Sequence, residues 1–187
     1  MNYYYMIPPV VKPFKEMTEV EAKEYFDWFT LDIVNRIVLL SEYIKEEKGG
    51  FELDYSEESL HFLWKWFEKY IKFIDLSEDE YIEKINRYPD WMKNYISKQK
   101  ISYETYKLLW DISIYFAEVV IKNSNGQIYW AFHTKPKNSE SLNEPVLVGF
   151  LDDVYLNPRT IVEVLTRRSQ REKDEYRLLN IYNVWKE

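Results

Sequence analysis

The sequence predicts a single α+β domain over residues 1–187, mostly helical, with a small antiparallel sheet packed against the helices. Three observations carry this reading. A capping box at Thr18 opens a long amphipathic segment, and a second aromatic-rich periodic segment begins near Ser56. An Asn125-Gly126 pair is followed by alternating strand residues. The helical part runs over about 18–120, and the hairpin and C-terminal helices occupy about 121–187. At 187 residues the chain holds one continuous core and has too little volume for two comfortable ones.

Thr18-Glu19-Val20-Glu21 places a hydroxyl at an N-cap and a Glu three residues on, which satisfies two orphan backbone donors reciprocally. Tyr25, Trp28, Phe29, Asp32, Ile33, Arg36, Ile37, Leu40 and Ile44 then recur at steps of three and four. This predicts a helix over 18–47, closed at Gly49-Gly50 by a left-handed C-cap. A second helix is expected over 56–74, burying Leu60, Leu63, Trp64, Phe67, Tyr70, Ile71 and Ile74 antiparallel to the first. Ser77 caps a shorter helix to about Asn86, and Pro89-Asp90 starts another.

Ser102 opens a helix to about Val120 on Tyr106, Leu109, Ile112, Phe116 and Val120, although 118–122 also reads as strand. Asn125-Gly126 suits the two positive-φ positions of a type I′ turn, so a hairpin is expected to turn there, with 127–133 as its second strand. Pro145 to Leu151 reads as a further strand, Asp152-Asp153 as a turn, and a segment ending at Leu156 as a third strand. Asn157-Pro158 supplies an N-cap followed by Pro at N1 for a helix to about Arg168, and a last helix is expected from about Arg171.

Composition narrows the function classes. The chain has no Cys, which removes disulfides, thiolate nucleophiles and sulfur-ligated zinc. No apolar run approaches the roughly 20 residues of a membrane helix. The first residues lack a basic region and are broken by Pro8-Pro9, so no secretory signal is expected and a cytoplasmic location is. Net charge is -7. Residues 1–99 carry 13 Lys+Arg against 20 Asp+Glu, and residues 100–187 carry 12 of each. An acidic surface repels nucleic acid and favours basic partners, while also serving plain solubility.

Chemistry is sparsely signalled. The only histidines, His61 and His133, have no companion set for a triad or a metal, and no phosphate-cradling glycine loop occurs. Neither a cofactor nor a metal is expected. Asp111, Glu118 and Asp152-Asp153 are the candidate acid and base groups. Glu118 also stands four residues before Lys122, the favourable order for a helix ion pair. Glu118 and Trp130 are a possible pocket pair, and Trp64, Trp66, Trp91 and Trp110 could add stacking surface. Arg167, Arg168, Arg171, Lys173 and Arg177 form the one basic concentration, a phosphate clasp or a solvated helix face.

Asp54, Ser56, Ser59, Leu60 and Trp66, followed by Tyr115, Ala117, Glu118, Val119 and Trp130, give a pattern over 53–130. It resembles that of small uncharacterised bacterial proteins, some of which are similar to immunity proteins of toxin systems; Ala117 replaces the usual Gly. The resemblance implies a fold and carries no catalytic residue. The function expected is non-catalytic binding of a protein with a basic face, on an acidic segment of Glu52, Asp54, Glu57 and Glu58. The other readings are a small-molecule or glycan binder and a carboxylate-based hydrolase.

Overall fold

A computed structural model describes residues 7–47 and 50–186. Helix α1 (Glu19–Lys45) starts where the capping box places it: the Glu21 N–H donates to Thr18 Oγ1 at 3.3 Å, and the Thr18 N–H donates to Glu21 Oε2 at 2.7 Å. Its buried stripe is Ala22, Tyr25, Phe29, Ile33, Ile37, Leu40 and Ile44, with Asp32 and Arg36 among them. Gly49, half of the expected C-cap, lies outside the described residues.

The expected helix over 56–74 is shorter. Helix α2 spans Glu57–Phe67, and strand β1 (Phe73–Asp75) follows. Tertiary contacts satisfy the backbone where the helix stops: the Lys72 N–H donates to Thr105 Oγ1 at 2.9 Å, and that hydroxyl donates to the Tyr70 carbonyl at 2.8 Å. Strand β1 pairs antiparallel with β2 (Gln99–Ile101), Phe73 opposite Ile101. Between them lie α3 (Glu78–Ile85) and α4 (Asp90–Lys93), neither of which buries a residue.

Helix α5 (Tyr103–Asn123) is the centre of the domain, packing against α1, α2, α6 (Pro158–Arg168) and α7 (Arg177–Trp185). Leu109, Ile112, Tyr115, Phe116, Ala117 and Val119 are fully buried along it. Its buried face holds an ion pair, in which Arg36 Nε donates to Asp111 Oδ1 at 2.7 Å and Nη2 donates to Oδ2.

The hairpin expected to turn at Asn125-Gly126 is not there. Helix α5 runs to Asn123, so the pair joins a helix to a strand. Asn125 has φ 54° and Gly126 φ 80°, as the expected turn required, but positive φ reverses a helix end as readily as it closes a hairpin. The packing of Val119 and Val120 against the core decides in favour of helix. Strand β3 (Tyr129–Ala131) pairs antiparallel with β4 (Val146–Val148), and Leu147 also bridges Leu156. Gly149, at φ 100°, lets Gln127 approach: a Cβ there would stand 2.1 Å from the Gln127 carbonyl oxygen. Helix α6 is capped by Asn157 with Pro158 at N1, as expected, whereas α7 begins at Arg177 and not near Arg171.

Candidate functional site

The acidic segment before α2 is built into the fold more than the sequence implied. Asp54 Oδ1 accepts the Ser56 N–H at 2.9 Å and its hydroxyl at 2.6 Å, which holds the Asp54 carboxyl below its ordinary value. Ser56 in turn caps α2, accepting the Ser59 N–H at 3.2 Å. Tyr55 stands at φ 65°, an uncommon conformation for a bulky side chain. It is over-determined there: its N–H donates to the Tyr115 hydroxyl at 2.8 Å, Asn123 Nδ2 donates to its carbonyl at 3.3 Å, and Lys122 Nζ lies over its ring. Lys122 therefore serves Tyr55 rather than the expected pair with Glu118. Burial pushes the Tyr115 hydroxyl up to about 12, so it stays a neutral clamp.

Glu57 is also engaged. It receives the Tyr182 hydroxyl of α7 at 3.3 Å and Nζ of Lys186, the C-cap of that helix, at 2.8 Å. Glu52 stands 3.8 Å from Lys45, both exposed, and Glu58 makes no side-chain contact among the described residues. Of the four acids singled out from sequence, Glu52 and Glu58 keep free carboxylate surface, while Asp54 and Glu57 are spent on structure.

Glu118 and Trp130 do meet: Trp130 Nε1 donates to Glu118 Oε1 at 2.7 Å. Trp130 also stands edge-on to Phe29 at 4.9 Å and lines a hollow with Trp110, Ser113, Pro145 and Arg159. That hollow measures about 10 Å³, room for one water and no sugar ring. Trp64, Trp66 and Trp110 are buried in the core, and Trp91 is exposed on α4, so the tryptophans form no common platform. Asp111 is closed off by Arg36, and Asp152 and Asp153 shape a turn with φ 59° and 55°. His61 stacks on Tyr176 at 4.1 Å, its Nε2 3.6 Å from Glu175, and His133 lies edge-on to Tyr155. Among the described residues no group of His, Asp and Glu is placed to hold a metal ion, and no helix is long and apolar enough to cross a membrane.

The surface that sequence reasoning missed is the outward face of α1. Val20, Leu31, Val34 and Val38 are exposed there, Leu31 at 82%. Their spacing puts them on one stripe with Glu24, Asp27 and Glu42. Glu24 and Glu42 make no side-chain hydrogen bond or ion pair among the described residues, while Asp27 pairs with Lys23. The first turns of this face border an open groove of about 670 Å³, lined by Glu19, Val20, Lys23, Glu24, Asp27, Phe132 and Thr134. The signal was available in the sequence as a second set of aliphatics at helical spacing opposite the core stripe. Comparison with models of protein families, with curated proteins and with solved structures gives no significant match to the chain.

Proposed function

We propose that the chain is a non-catalytic binding protein whose outward α1 face docks a basic protein partner, a role that an immunity protein would also fill. The observation that carries this is the exposed stripe of Leu31, Val34 and Val38, set between the carboxylates Glu24 and Glu42, which have no hydrogen-bond or ion-pair partner among the described residues. Three exposed branched side chains within about two turns cost solubility unless something covers them, and branched apolar groups flanked by acid suit a cationic amphipathic surface. The groove along Glu19, Glu24 and Asp27 extends the same acidic character towards β3. Glu52 and Glu58 lie outside this face and would act, at most, as long-range steering charge.

The test uses a defined probe, an amphipathic helical peptide of Leu and Lys, titrated into the full chain and into the L31S/V34S variant, which removes the apolar stripe without adding charge. Binding is expected to weaken about tenfold or more in the variant and to weaken with salt in the parent, with the melting temperature unchanged. Equal affinity for parent and variant would remove this face as the binding surface.

A second reading rests on a cleft of about 300 Å³ between the end of α5 and α7, where Phe150 and Trp185 stand beside Asn123, Ser124 and Gln127. Aromatic faces with nearby amides suit a small polar ligand such as a sugar. Saturable quenching of tryptophan fluorescence by simple sugars, lost on Trp185→Ala, would favour it.

A further inference from the structure

Arg177 is only 8% exposed, yet among the described residues it has no carboxylate within ion-pair distance. The other two arginines held inside the fold are neutralised: Arg36 by Asp111, and Arg159 by Glu144. Among the described residues, Arg177 Nη2 donates to the Glu172 backbone carbonyl, at 2.6 Å, and to no carboxylate. It is also the first residue of α7, where the helix dipole disfavours a cation, and that helix has neither an acidic residue in its first turn nor a side-chain cap. A buried, unpaired guanidinium at the positive end of a helix is costly unless an anion completes it.

The space for one is present. Arg177 lines a cleft of about 350 Å³ between α6 and α7, together with Arg168, Arg171 and Asn180. Arg168 and Arg171 are exposed and make no side-chain hydrogen bond or ion pair among the described residues, whereas neighbouring Arg167 is bonded to Glu163. Two acids share the cleft, Glu172 and Asp174. Asp174 Oδ1 is occupied by the Tyr176 N–H at 3.0 Å, and three guanidinium groups still outnumber the two carboxylates. Leu165 and Ile181 add an apolar wall.

We propose that this α6–α7 cleft is a phosphate site, taking a free phosphate dianion or a phosphomonoester between Arg168, Arg171 and Arg177. Guanidinium forks match phosphate oxygens bidentately, and Asn180 adds an amide donor. The site is independent of the α1 face.

Inorganic phosphate titrated calorimetrically into the full chain is expected to bind saturably, and the R168Q/R171Q variant to bind about tenfold more weakly or worse. Both side chains are exposed, so the variant keeps its melting temperature in phosphate-free buffer. Phenyl phosphate binding tighter than inorganic phosphate would identify an ester whose organic group meets Leu165 and Ile181; equal affinity would identify the free ion. No saturable heat up to about 10 mM phosphate, or equal affinity in parent and variant, would overturn the assignment.

Discussion

Helices α1 and α3 begin with the same chemistry and end in opposite environments. Each opens with a reciprocal capping box, Thr18 with Glu21 and Ser77 with Glu80. Helix α1 then buries nine residues and packs on α5, while α3 buries none and is held beside the β1–β2 ribbon by contacts such as Lys84 Nζ to the Ser97 carbonyl at 2.9 Å. Capping chemistry decides where a helix starts. Burial decides how much of the domain's stability depends on it.

The largest expected effect lies on the α1 side. Asp111→Ala takes both carboxylate oxygens away from the buried Arg36 guanidinium in the α1–α5 core, and denaturant unfolding should show a loss of about 3–5 kcal/mol. A loss below about 1 kcal/mol would mean that the pair is hydrated and that this core is no different in kind from the β1–α3–α4–β2 region.

An intermediate effect compares the caps directly. Thr18→Ala and Ser77→Ala each remove one N-cap hydroxyl, worth about 1 kcal/mol. The first should lower the global melting temperature. The second should leave it nearly unchanged and instead speed amide hydrogen exchange within Glu78–Ile85, because α3 opens as a local unit. If Ser77→Ala shifts the global transition as much as Thr18→Ala, the two helices belong to one cooperative unit and the contrast fails.

The smallest effect is on titration. The Thr18 backbone N–H, then Lys12 and the Thr18 hydroxyl, lower the Glu21 carboxyl from 4.5 to about 2. A depressed folded-state value stabilises the fold above the unfolded carboxylate range, and that contribution is lost as pH falls from about 4.5 through about 2. Carboxyl carbon chemical shifts should show Glu21 ionised at pH 3, and Lys12→Met should move its midpoint upward. A Glu21 midpoint near 4.5 would mean that the capping box is open in solution.

Much of this frame was legible in the sequence because the deciding forces are local. The caps at Thr18, Ser77, Ser102 and Asn157 each depend on a side chain reaching a backbone N–H three residues away, so residue type and spacing suffice. The inward stripe of α1 was readable for the same reason. The errors cluster where distant groups intervene. Helix α2 stops at Phe67 because Thr105, more than thirty residues away, supplies backbone partners to Tyr70 and Lys72. At the candidate sites, the sequence marked acids by type alone and could not separate Glu58, exposed and without a hydrogen-bond or ion-pair partner among the described residues, from Glu57, held by Lys186 and Tyr182.

By itself, then, the sequence determined a mostly helical α+β domain, its helix starts, and the positive φ at Asn125 and Gly126. These follow from side-chain-to-backbone hydrogen bonds and steric limits within a few residues. Only the tertiary structure decided that the Asn125-Gly126 turn follows a helix, that Asp111 meets Arg36, that the Glu118 carboxylate is taken up by Trp130, and that Arg177 is buried with no acid in ion-pair reach among the described residues. Each of those depends on which residues distant in the chain become neighbours, and on the low-dielectric interior in which an unpaired charge is costly enough to matter.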